Sequence, residues 1–192
     1  MTFEQDKKRI LEKIGKADKP DKSFKGSIDK QILPLINLIN SKKNYYTTSS
    51  CAGRIIFVRT IKKKEPNAFL FMTHEKTSFD EIKNALKKIK NKEVWFKQEP
   101  CILHVCCKTI KDAQDLVNKA KLSGWKKSAI IASSRRVVCE LLSTEVISLP
   151  LVKNKLLVDD NYIKILVKEA NFNLEKVGKK IEKFYLLVSS NK

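Results

Sequence analysis

The chain has 192 residues, 42% of them hydrophobic and 32% charged, which suits one ordinary core and is too apolar for intrinsic disorder. Forty lysines and arginines against 21 aspartates and glutamates give a formal net charge of +19, a footprint suited to nucleic acid or another polyanion. No apolar run reaches the ~18 residues of a membrane span, the charged start Met1-Thr2-Phe3-Glu4-Gln5-Asp6-Lys7-Lys8-Arg9 leaves no room for a secretory apolar stretch, and five cysteines are an odd set for a disulfide framework, so a cytoplasmic chain with reduced thiols is expected.

Ile10, Leu11 and Ile14 among charges predict a short amphipathic helix over 4–16, ended by Asp18-Lys19-Pro20-Asp21. Residues 1–20 are read as a peripheral helical arm on a single domain spanning 1–192. Lys25-Gly26-Ser27-Ile28-Asp29 reads as a helix start, with Ser27 as N-cap and Asp29 in the positive first turn. Ile28, Ile32, Leu35, Ile36 and Ile39 follow at helical spacing, and Pro34 inside that pattern predicts a kink or a later start.

From Tyr45 to Ile61 the β-branched and aromatic residues predict two strands joined through 49–53, then a turn at 62–67 and a further buried strand at 68–73. Ser78 or Asp80 caps a helix bearing Ile82, Ala85, Leu86 and Ile89. Residues 94–97 and 101–107 read as strands around Glu99-Pro100, and Ile110, Ala113, Leu116, Val117 and Ala120 form a helical stripe that Gly124 ends. Strands at 129–132 and 137–142 meet at Ser133-Ser134-Arg135-Arg136, and residues 159–188 make a long C-terminal helix. Strand-strand-helix units between helical ends predict an α+β fold with a mixed β-sheet.

Thr47-Thr48-Ser49-Ser50 sets four hydroxyls beside Cys51-Ala52-Gly53-Arg54, where Gly53 permits a tight turn and close approach of backbone to a ligand. Such a segment suits a phosphate or carboxylate; a polar strand end is the alternative. Only five cations are arginines, and those at 54, 135 and 136 supply planar, bidentate donors in a chain that otherwise uses lysine. Cys51 is read as a small packed thiol, since no motif fixes a base beside it.

Cys101-x2-His104-x-Cys106-Cys107 carries metal-ligand residue types, but strand alternation puts His104 and Cys106 on one face and Cys101 and Cys107 on the other, so no metal is assigned. His104, His74 and Glu99 stand instead as candidate proton acceptors or ligand contacts, with hydrogen-bonded structural roles as the alternative. Tyr45, Tyr46 and Trp125 are candidate stacking rings for a base, with core packing as the fate of at least one. Among five glycines no Gly-x-Gly-x-x-Gly or phosphate-loop pattern occurs, which excludes the usual dinucleotide and nucleoside-triphosphate enzymes.

At Lys25-Gly26-Ser27-Ile28-Asp29, Tyr46-Thr47-Thr48-Ser49-Ser50-Cys51-Ala52-Gly53-Arg54, Thr73-His74, Glu99-Pro100-x-x-Leu103-His104-Val105 and Ser123-Gly124-Trp125, the sequence resembles the third wybutosine-synthesising protein family of tRNA. Tyr162, Ala170-Asn171 and Lys180-Ile181-Glu182-Lys183-Phe184-Tyr185 extend the resemblance across 23–187. It implies transfer of a methyl group from S-adenosylmethionine to ring N-4 of the demethylated wybutosine precursor beside the anticodon of phenylalanine tRNA, without a Rossmann motif. On that basis Ser49, Ser50 and Arg54 are expected to hold the methionine carboxylate or an RNA phosphate. His104, with His74 or Glu99 as rivals, would take the proton, and Arg135, Arg136 and Tyr46 would contact RNA. The chain departs from the family pattern at Ala129, where glycine is usual, and at Ser148, where an acidic residue is usual. A non-catalytic module binding modified tRNA is the rival reading of the same features.

Overall fold

The computed structural model describes residues 2–15, 29–59, 68–89 and 93–190. In chain order the elements are α1 (Phe3–Gly15), α2 (Leu33–Ser41), β1 (Tyr45–Cys51), β2 (Arg54–Arg59), β3 (Phe69–Thr73), α3 (Phe79–Lys87), β4 (Val94–Glu99), β5 (Ile102–Cys107), α4 (Ile110–Leu122), β6 (Ala129–Ala132), β7 (Val137–Leu142), β8 (Ile147–Lys153), β9 (Lys155–Leu156) and α5 (Asp160–Ser189). The class is α+β. Among the described residues, though, the strands form two antiparallel sheets, β1-β5-β7-β6 and β3-β2-β4-β8-β9, not the one mixed sheet expected. The consecutive strands β1 and β2 do not pair with each other, although β2 and β3 do, and sequence adjacency carries no signal of the difference.

The chain forms two compact units: residues 1–52, 101–144 and 178–192 make the first, and 53–100 with 145–177 make the second. Ala52-Gly53 is one crossing between them. Gly53 has φ 91°, a left-handed conformation that a side chain would strain, so the turn requires glycine.

In the second unit, Ile55 and Phe57 from β2, Val94 and Phe96 from β4 and Leu151 from β8 alternate inward. They meet Ile82 of α3 and Ile163, Leu166, Val167, Ala170 and Leu174 of α5. The strand β8 lies outside the sequence expectation because Pro150 interrupts its apolar alternation. Pro150 pairs with Trp95, and the ladder shifts register between Val94 and Trp95, accommodating a residue with no N–H to give.

In the first unit, Leu103, Val105, Cys139 and Leu141 are buried, as are Ala113, Leu116, Val117 and Ala120 of α4. Trp125 lies at the C-terminal end of that stripe, fully buried, its ring 5.3 Å from Phe184 and its indole N–H 3.3 Å from the Lys180 carbonyl. Pro34 falls in the first turn of α2, which starts at Leu33, so the proline gives a later start rather than a kink. The helix start expected at 25–28 lies outside the described residues, as does the turn at 62–67.

The expected N-terminal helix is present as α1, within the first unit. Its Asp6 is buried against β1, and Lys7 donates to the Lys42 carbonyl at 2.5 Å. Residues 16–20 of that expectation are outside the described set.

Both α3 and α4 begin with reciprocal capping boxes, Ser78 with Glu81 and Thr109 with Asp112. Thr109→Ala leaves the Asp112 N–H without its side-chain acceptor. It is expected to cost about 1 kcal/mol of unfolding free energy, measured as a lower urea midpoint with an unchanged slope.

Candidate functional site

The bend in β1 sets the geometry of the first unit. Thr47 pairs with Val105 and Ser49 with His104, so Thr48 is an extra residue in a β-bulge. A bulge re-aims the side chains that follow it, and here it brings Ser49, not Thr48, opposite His104. His104 is in turn opposite Glu140 on β7, and Glu140 is opposite Ala129 on β6.

Ser49, His104 and Glu140 therefore form a row across three adjacent strands. The Ser49 hydroxyl lies 2.8 Å from Nδ1 of His104, and Nε2 lies 3.1 Å from the Glu140 carboxylate. An ionised carboxylate only accepts, so Nε2 carries the ring proton toward Glu140, and Nδ1 accepts from the Ser49 hydroxyl. Ser49 is exposed and His104 and Glu140 are part-exposed, so the hydroxyl end of the row faces solvent. Such a row has the connectivity a proton relay needs: a group bound at Ser49 can give its proton to the hydroxyl oxygen while the hydroxyl proton passes to Nδ1.

The second unit carries the other candidates. Arg54 and Glu99 sit directly opposite each other on β2 and β4, with Nε 2.7 Å from the carboxylate. The guanidinium lies 4.9 Å from the centre of the Phe69 ring, and Nη1 points at Met72 Sδ at 3.6 Å. Nδ1 of His74 donates to the Gly53 carbonyl at 3.0 Å. Of the expected proton acceptors, His104 thus shares a row with Ser49, while Glu99 is committed to Arg54 and His74 to the turn at Gly53. Ser50 pairs with Leu103 on the bulged strand.

The expected RNA contacts divide. Arg135 is exposed and makes no ion pair among the described residues. Arg136 grips Asp6 with Nε and Nη2 at 2.7 and 2.8 Å. The expectation for Tyr46 is corrected: the ring is 1% exposed, lies 5.2 Å from Phe3 of α1, and gives its hydroxyl to Asp6 at 2.5 Å. It has no face to offer a base. Trp125, fully buried, likewise cannot stack on one.

Asp6 collects Arg9, Arg136 and Tyr46 on one carboxylate. The hydrogen bonds from Arg9 and then Tyr46 outweigh the burial cost and hold its pKa at about 2. A folded-state pKa below the unfolded value of about 3.9 means a contribution present above pH ~4 and lost as pH falls toward 2. Asp6→Asn is therefore expected to melt below the wild type at neutral pH, with the gap in melting temperature closing between pH ~4 and ~2.

Glu140 and Asp6 were missed from the sequence. Glu140 left one signal, a lone charge in the apolar strand Val137-Val138-Cys139-Glu140-Leu141-Leu142. Asp6 left none, because it reads as one more charge on an amphipathic helix.

The family model described as Methyltransferase TYW3 matches residues 5–190. This chain belongs to that methyltransferase family. It is 37% identical over 181 residues to the Methanocaldococcus jannaschii tRNA(Phe) 7-((3-amino-3-carboxypropyl)-4-demethylwyosine(37)-N(4))-methyltransferase, covering 92% of this chain and 91% of the relative. It is 38% identical over 174 residues to the human tRNA wybutosine-synthesizing protein 3 homolog, covering 87% of this chain and 67% of that protein. The solved PH1069 protein from Pyrococcus horikoshii superposes with a TM-score of 0.87 at 34% identity over 97% of this chain and 96% of that one. For a TYW3-family chain the two antiparallel sheets agree with the missing glycine motif, since no parallel βαβ dinucleotide unit occurs among the described residues. Among these residues no helix is long and apolar enough to cross a membrane.

Proposed function

We propose that this chain transfers a methyl group from S-adenosylmethionine to ring N-4 of the 7-(3-amino-3-carboxypropyl)-4-demethylwyosine nucleoside at position 37 of phenylalanine tRNA. The observation that carries the reading is the family match over residues 5–190 together with a relative of that printed activity at 37% identity. None of the five cysteines is in a disulfide, which suits work in the cytoplasm.

The donor sets fit an anionic group such as the methionine carboxylate or an RNA phosphate. In the second unit Arg54 keeps guanidinium N–H groups beyond the Nε given to Glu99. In the first unit Ser49 and Ser50 present hydroxyls on the bulged strand. Bound S-adenosylmethionine would supply an electrophilic methyl group on its sulfonium.

The protein's own work is to align the acceptor nitrogen and take its proton. In this reading Ser49 accepts that proton as its own passes to His104, and Glu140 holds the ring in the required tautomer and orientation. The excess of cations attracts the anticodon arm.

Labelled S-adenosylmethionine incubated with the protein and tRNA carrying the demethylated precursor tests the proposal. Label is expected in the precursor tRNA and absent from tRNA lacking it; tight tRNA binding with no incorporation would leave a non-catalytic RNA-binding module. Glu140→Gln is expected to lower kcat with little change in the KM for tRNA, and Glu140→Asp to recover part of the loss.

A further inference from the structure

Beside α1 the first unit contains a cleft of about 300 Å³ whose lining includes Thr2, Lys108, Ser133, Ser134, Arg135 and Arg136. A second cleft, also about 300 Å³, shares Ser134, Arg135 and Arg136. Almost every polar group here is a hydroxyl or a cation. The one carboxylate among the lining residues, Asp6, already accepts from Tyr46, Arg9 and both Arg136 nitrogens. Its charge is met within the protein, so it has little to offer an incoming ammonium and does little to repel an anion. Lys108 is partly committed to Glu4 at 2.7 Å, which leaves Arg135 as the exposed guanidinium with no ion pair among the described residues.

The cleft also lies on a meaningful face of the sheet. Tyr46 is opposite Cys106, and Cys106 is opposite Val138; Cys106 and Val138 are each two residues from His104 and Glu140 of the row, and Tyr46 is three from Ser49 across the bulge. Val138 and Glu140 stand at alternate positions of β7, so strand alternation puts them on one face, and Arg136 lies in the bend just before that strand. From Val138 to Glu140 the strand rises roughly 7 Å.

We propose that this cleft holds a backbone phosphate of the tRNA strand that carries the target nucleoside, with Arg135 as the contacting cation. The inference rests on the proposed tRNA methyl transfer for the identity of the strand. Arg136 is spent on Asp6 and shapes the wall of the cleft. Ser133 and Ser134 supply hydroxyl donors on the exposed turn between β6 and β7. A net charge of +19 supplies the attraction that brings the strand in, and the cleft fixes where it sits.

The experiment is fluorescence anisotropy of the full chain with an unmodified phenylalanine tRNA transcript, titrated at several salt concentrations between about 50 and 200 mM. Arg135→Gln is expected to weaken binding about tenfold at the lowest salt and to flatten the slope of log K against log salt by about 1. Arg135→Lys keeps the charge and is expected to keep the slope. Because Arg135 is exposed and without an ion pair among the described residues, both variants should melt with the wild type. Wild-type affinity and slope in Arg135→Gln would overturn the cleft. Binding and methyl transfer are read separately. A protein that methylates its tRNA but binds identically with Arg135→Gln refutes only the cleft, and one that shows the Arg135→Gln loss but transfers no methyl group refutes only the reaction.

Discussion

Replacing His104 by alanine is expected to slow methyl transfer by about 10²- to 10⁴-fold, the usual contribution of a positioned general acid or base. The ring is the middle member of the row: Nδ1 takes the Ser49 hydroxyl at 2.8 Å and Nε2 meets Glu140 at 3.1 Å. Alanine removes the proton acceptor and breaks both hydrogen bonds at once. The fold should tolerate the loss, because His104 is part-exposed while the neighbouring Leu103 and Val105 carry the packing. Single-turnover incorporation of labelled methyl groups measures the effect, with tRNA anisotropy run beside it. A rate within threefold of wild type would remove His104 from the mechanism and leave alignment of the reactants as the protein's whole contribution. Ser49→Ala should fall between wild type and His104→Ala, because a water molecule can replace a hydroxyl relay more readily than an imidazole.

Trp125→Ala should carry the largest cost in stability, about 3–5 kcal/mol. The ring is fully buried against Phe184 and its N–H reaches the Lys180 carbonyl, so truncation opens a cavity and leaves that carbonyl unmet by the indole. Domains are stable by only about 5–15 kcal/mol, so a loss of this size consumes much of the margin. Urea unfolding followed by circular dichroism gives the number, and Trp125→Phe should recover most of it by refilling the volume. The change also reaches the site's support. Ser128 donates from both its N–H and its hydroxyl to the Trp125 carbonyl, and its hydroxyl accepts from Leu142. Ala129, opposite Glu140, is the next residue. A cost below 1 kcal/mol would mean that the surrounding helices collapse onto the vacated space.

Gly124 belongs to the same neighbourhood. It takes φ 97° just after α4, and an added Cβ would come within 2.9 Å of Lys180 Cε. The backbone conformation, more than the flexible lysine tip, makes glycine the fitting residue there.

The sequence by itself determined most of the elements and the class of function. Periodicity and turn residues located α3, α4, α5 and β1 through β7, because those segments bury one face and their ends carry capping or turn chemistry. The ordered string from Thr47 to Arg54 pointed to the family, and the charge pointed to a polyanion. Ser49 and His104 were both legible as candidates. What brought them together was not.

Only the tertiary structure decided that the strands divide between two antiparallel sheets, that Pro150 lies inside β8, and that the bulge at Thr48 advances Ser49 to face His104. It also buried Tyr46 and bound Arg136 to Asp6, and it added Glu140 to the row. Each of these turns on which residue lies across the ladder or beneath a helix distant in the chain. A one-residue change of register reverses the face of every side chain, and local propensity does not encode that register.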